Sequence, residues 1–166
     1  MMTVGLWSRR MGRLTANPSR AIYGTIVATA LIAATSAYDN NPGHIARATI
    51  ATLLVFWLAH AYSQVLEHGL RHRRFHRSVI RDALSEEFAL VEGPALAIVL
   101  LVLGALGWIS GGLAINLALA NGVVQLMVWG TAVGRRFDRS WPVAVAVGLL
   151  NAAVGGVVIL LKALLH

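Results

Sequence analysis

Five long apolar stretches run through this chain and leave it few folds to choose from. They extend from Ala21 to Ala37, Ile45 to Leu66, Phe88 to Ile109, Gly112 to Val133 and Val143 to Leu165. Each approaches the ~20 residues that a helix needs to cross the hydrocarbon of a bilayer. None alternates strictly between apolar and polar residues, and so few strands could not close a membrane barrel. The pattern predicts an all-α fold: a polytopic integral membrane protein, a five-helix transmembrane bundle with short interfacial helices, forming one domain over residues 1–166. Only 13% of the residues are charged, whereas a soluble domain carries roughly a quarter. Most of the surface is therefore expected to face lipid.

The few charges are arranged by sign. Arg9, Arg10, Arg13 and Arg20 precede the first stretch; Arg71, Arg73, Arg74, Arg77 and Arg81 separate the second and third; Arg135, Arg136 and Arg139 separate the fourth and fifth. Only Arg47 and Lys162 fall on the other side. Cytoplasmic loops collect basic residues, so this split predicts a cytoplasmic N-terminus and an outer C-terminus in the cell (cytoplasmic) membrane. It also accounts for the net charge of +7 without a nucleic-acid partner, because the arginines are dispersed over three short juxtamembrane segments. A cleaved signal peptide is the alternative for the first stretch, but its basic leader is long and its apolar run is as long as a span.

Two cytoplasmic segments are expected to lie on the membrane surface. In residues 1–19, Val4, Trp7, Met11 and Leu14 recur at helical spacing, and in residues 70–84 Phe75, Val79, Ala83 and Leu84 do the same. Both carry arginines that anionic headgroups would attract, by about 1 kcal/mol each. Ser85-Glu86-Glu87 then reads as the start of the next helix, a hydroxyl cap followed by acids at the positive end of the dipole.

Between helices in lipid, small residues permit close approach. Ala144, Gly148, Ala152 and Gly156 form such a stripe, as do Ala114, Ala118 and Gly122, and Thr25, Thr29, Ala33 and Ala37. These faces are expected inside the bundle, or between copies of the chain.

Against this apolar background the polar residues stand out, because a carboxylate at membrane depth is costly. His60, Gln64 and Glu67 share one helix face. Glu92 enters the third stretch from the same side, and Pro94 leaves the carbonyl of Leu90 without its helical donor. Asn121, Gln125 and Asn151 add amides from the fourth and fifth stretches. If they converge, His60, Gln64, Glu67, Glu92, Asn121, Gln125 and Asn151 form a polar cluster in the cytoplasmic half, with Glu67 facing Glu92. A simple Glu67–Arg71 pair and amides that merely bridge helices are the competing readings.

His68, His72 and His76 repeat an HxxxH spacing that resembles the histidine boxes of membrane di-iron desaturases and hydroxylases. Those enzymes draw on several boxes, and the resemblance is confined to this one segment. Arg71, Arg73, Arg74 and Arg77 would repel a dication, so no metal and no other cofactor is expected. Cysteine is absent, and so are the HExxH, GxSxG, P-loop and GxGxxG signatures. The reading that follows is a small multi-pass inner-membrane protein, not an enzyme, that moves a proton, ion or small solute through the polar cluster. Its expected partners are the bilayer itself and copies of the chain or a larger membrane complex. The alternative is a non-catalytic membrane subunit that assembles or regulates such a complex. An intramembrane enzyme using His60 with Glu67 or Glu92 stands third.

Overall fold

The computed structural model describes residues 18–72, 77–137 and 140–164. Every element in that range is a helix: α1 (Pro18–Thr35), α2 (Pro42–His72), α3 (Arg77–Glu87), α4 (Ala89–Glu92), α5 (Ala95–Ala105), α6 (Gly111–Phe137) and α7 (Trp141–Leu164). No strand occurs among the described residues. Three segments are long and apolar enough to cross a membrane: Pro42–Leu70, Gly111–Arg136 and Trp141–Leu164. A bent pair, Val79–Glu92 with Ala95–Ala105, makes a fourth if taken as one span. The stripe from Val4 to Leu14 lies outside the described residues.

α1, the first expected span, is not among those segments. It is an 18-residue helix, about 27 Å long, that carries Ser19 and Arg20 in its first turn and three threonines further on. Its residues Ala21, Gly24, Thr25, Ala28, Thr29, Ile32 and Ala33 are buried, and it packs against α2, α4, α6 and α7. The buried hydroxyls are satisfied within the helix. Thr25 Oγ1 donates to the Ala21 carbonyl at 2.8 Å, and Thr29 Oγ1 to that of Thr25 at 2.7 Å.

The helix ends follow local chemistry. Asn41 caps α2, its side-chain oxygen accepting from Gly43 N at 2.9 Å and His44 N at 3.3 Å. Pro42 occupies the first turn, where a missing N–H costs nothing. α5 ends in a Schellman turn: Trp108 N donates to Leu103 O and Gly107 N to Gly104 O, both at 3.1 Å, with Gly107 at φ +77°. Only glycine takes that conformation without penalty. Pro42 lies against both Gly104 and Gly111, so the α1–α2 and α5–α6 connections share one end of the bundle.

At that end Asp39 accepts from Asn41 N at 2.8 Å and meets His44 Nδ1 at 3.0 Å. The backbone donor first, and then His44, hold the Asp39 carboxyl below its ordinary 3.8. A folded value below the unfolded one adds stability that is present above pH 3.8 and is lost as pH falls through the folded value. Wild-type protein should therefore lose thermal stability between about pH 4 and pH 2 by more than Asp39→Asn does. Parallel losses in the two proteins would remove this assignment.

The third apolar stretch, expected as one span over residues 88–109 with Pro94 interrupting its hydrogen bonds, is not one continuous helix. Residues 77–87 are helical, and Val79–Glu92 meets Ala95–Ala105 at 57°. Ser85-Glu86-Glu87 lies in the last turn of α3 rather than at a helix start, with Ser85 Oγ donating back to Asp82 O at 3.0 Å. Pro94 explains the break, since it cannot donate and crowds the preceding turn. The bend is seated on α1. A Cβ at Gly24 would fall 1.9 Å from the Leu90 carbonyl oxygen, and one at Gly93 would fall 2.6 Å from that of Ala21.

α6 and α7 form a close antiparallel pair. Gly130 and Gly134 of α6 lie against Asn151 and Ala144, and Gly148 and Gly155 of α7 lie against Thr131 and Leu126. The contact stripe on α7 is thus Ala144, Gly148, Asn151 and Gly155. The expected stripe holds at Ala144 and Gly148 but not at Gly156, where a Cβ would meet nothing within 4 Å. Helical drift past a four-residue repeat turns Gly156 away and brings Gly155 in. The main core joins Ile32 and Ala33 to Ile45, Ala97, Leu101, Ile115 and Leu119, with a smaller layer of Ala28, Leu53 and Leu90 beside the bend.

Candidate functional site

The last turn of α3 places two acids where the helix dipole disfavours them. Arg20, in the first turn of α1, is equally misplaced by its dipole. Tertiary structure brings these together. Arg20 Nε lies 3.1 Å from Glu87 Oε1, and Arg20 Nη1 lies 3.3 Å from Glu86 Oε2. Glu87 is only 2% exposed. Gln64 Nε2, from α2, also donates to Glu87 Oε1. The second oxygen, Oε2, is buried with no partner. Three helices thus converge on one carboxylate.

Aromatic groups lock the surroundings. Trp57 Nε1 donates to the Leu84 carbonyl at 3.0 Å, satisfying one of the acceptors that end α3. The Trp57 and Phe88 rings meet edge-on at 6.0 Å. On the other side, Tyr23 lies 6.2 Å from Phe56 and 5.5 Å from His60, centroid to centroid. His60 Nδ1 lies 2.9 Å from the Phe56 carbonyl. A carbonyl only accepts, so Nδ1 carries the hydrogen, and in the neutral ring Nε2 is a bare acceptor. Ser19, Arg20, Tyr23, His60, Glu87 and Leu90 line a groove of about 170 Å³.

Of the residues expected in a polar cluster, His60 and Gln64 reach this site. The carboxylate they meet is Glu87, supplied by α3. Glu67 is exposed and Glu92 half-buried, and neither lines the groove. The Arg71 side chain, offered as a partner for Glu67, lies outside those described. Asn121 and Gln125 are half-buried on α6, with Asn121 Nδ2 and Gln125 Oε1 each buried and unpartnered. Asn151 belongs to the α6–α7 contact, where Nδ2 donates to Val147 O at 2.9 Å. Of the three clustered histidines, His68 is exposed, His76 lies outside the described residues, and so does the side chain of His72. No group of metal-binding side chains occurs among the described residues.

Sequence reasoning missed Glu87, Arg20 and Tyr23. One signal was available. Continuing the Val79–Ala83 stripe by one further turn gives Glu87, and among the described side chains of α3 Ala83 and Glu87 are the buried ones. Reading Ser85 as a cap broke the stripe at that point. No family model, curated protein or solved structure matches this chain.

Proposed function

We propose that this chain is a small multi-pass protein of the cell membrane that takes up and releases a proton, an ion or a small solute at the groove between α1, α2 and α3. In this reading α1 and the bent α3–α5 unit both traverse, giving five passes with the N-terminus in the cytoplasm and the C-terminus outside. The basic residues before α1, around α3 and after α6 support that direction. One observation carries the function: Glu87 is buried beside an apolar bundle, yet one of its oxygens has no partner. A carboxylate at such depth is costly, and with His60 lining the same groove it is a group that can take up and release a proton or a cation.

Reconstitution tests this directly. Protein in vesicles with an internal pH-sensitive dye, under an imposed potential, should show proton or cation flux above protein-free vesicles. Glu87→Gln should remove that flux while the protein keeps its helical circular dichroism. Wild-type vesicles no leakier than empty ones would end the transport reading. The chain would then be a non-catalytic membrane subunit, and its partner would be sought by cross-linking in the native membrane.

A further inference from the structure

The face of α2 turned away from His60 borders a second groove. It runs between α2 and α3, is lined by Leu58, Ala61, Tyr62, Val65, Ile80 and Leu84, and measures about 240 Å³. Leu58, Tyr62 and Ile80 are exposed. The bond from Trp57 Nε1 to the Leu84 carbonyl ties the two helices at the end away from their connection. α2 has 31 residues, about 46 Å against ~30 Å of hydrocarbon. Residues 58–65 therefore run among acyl chains, and the last turns of α2 reach the headgroup layer. Residues 67–82 include five arginines against two acids. Arg81 follows Ile80 of the groove and keeps 82% of its side chain exposed. It meets Asp82 at 3.7 Å, a contact worth little between exposed groups.

We propose that this groove seats one acyl chain of an anionic phospholipid, whose phosphate is held at the basic end of the groove with Arg81 as one partner. The proposal rests on the membrane location given above and not on the solute site. No charged or amide side chain lines the groove, so its occupant is apolar. A cavity of roughly 150 Å³ holds benzene, so about 240 Å³ takes part of a single chain. Charge selects the headgroup: each arginine at the surface favours an anionic lipid about fivefold, and a zwitterionic one gains no such attraction. A second copy of the chain suits the groove less well. Copies inserted in one direction would bring their arginine-rich segments together at the same depth, where like charges repel.

The test is photolabelling of the full chain in phosphatidylcholine nanodiscs that contain a little phosphatidylglycerol with a diazirine in its acyl chain. Labelled residues are mapped by mass spectrometry, with unlabelled phosphatidylglycerol or phosphatidylcholine as competitor. Labels should concentrate in residues 58–65 and 80–84, and phosphatidylglycerol should displace them at least about fivefold more effectively. Leu150 and Val157, exposed on α7, should respond alike to both competitors. Val65→Trp should fill the groove and abolish the selective labelling. Ile80→Trp, at an exposed position, does the same should Val65→Trp not fold. Arg81→Gln should reduce the phosphatidylglycerol advantage about fivefold, and high salt should reduce it in wild type. Even labelling of all outward faces overturns the proposal, as does equal competition by the two lipids or unchanged labelling in folded groove-filling variants. Disulfide formation between chains carrying Ile80→Cys, in a protein with no other cysteine, would assign the face to a second copy and overturn it too. Selective labelling without flux would remove the solute reading and leave this one standing; flux without selective labelling would do the reverse.

Discussion

Glu87→Ala should unfold at markedly lower denaturant than wild type, at a cost of about 3 kcal/mol, the low end for breaking a buried pair. The low end applies because the Arg20 side chain keeps 23% of its surface exposed and retains Glu86. The loss arises less from the pair itself than from what remains, a guanidinium and the Gln64 amide facing a cavity. Arg20→Met with Glu87→Leu removes both charges, so it should lose less stability than Glu87→Ala alone. Circular dichroism during sodium dodecyl sulfate titration would measure both. A double variant whose cost equals the sum of the single substitutions would show that the two residues do not interact.

Gly24→Val should be at least as damaging, for a steric reason. The new Cβ would stand 1.9 Å from the Leu90 carbonyl oxygen, a backbone atom that cannot swing aside. α1 and the α4–Gly93 bend must then separate, and overpacking of this kind costs about 3 kcal/mol or more. Gly93→Ala should follow in the same direction, since its Cβ would meet the Ala21 carbonyl oxygen at 2.6 Å. Gly156→Ala is the control. Its Cβ would meet nothing within 4 Å, and alanine is the better helix former by about 1 kcal/mol, so this variant should be as stable as wild type or more so. Equal behaviour of Gly24→Val and Gly156→Ala would mean that α1 does not seat on the bend. Because Arg20 and Tyr23 lie within one turn of Gly24, the same separation would open the groove, and Gly24→Val should also lose the Glu87-dependent flux.

What the sequence determined by itself is local and periodic. Apolar length selects helices, because the unpaired backbone of any other spanning structure would be too costly in lipid. Asn41-Pro42 starts α2, Gly107 ends α5 and Pro94 breaks the third apolar stretch, each through the conformational limits of one or two residues. The pairing of His60 with Gln64 on one face follows from the 3.6-residue turn alone. None of this says which acid those residues meet. Glu67, Glu86, Glu87 and Glu92 all lie near the same two helix ends, and their chemistry is the same. The choice of Glu87 is made by the bend, which lays the last turn of α3 across α1 and α2, and by Gly24 and Gly93, which let the backbones approach closely enough for Arg20 to reach it. A rotation of one residue along α3 turns a side chain by about 100°, the difference between a buried carboxylate and an exposed one. That angle is set by contacts between segments far apart in the chain, so only the tertiary structure decides it.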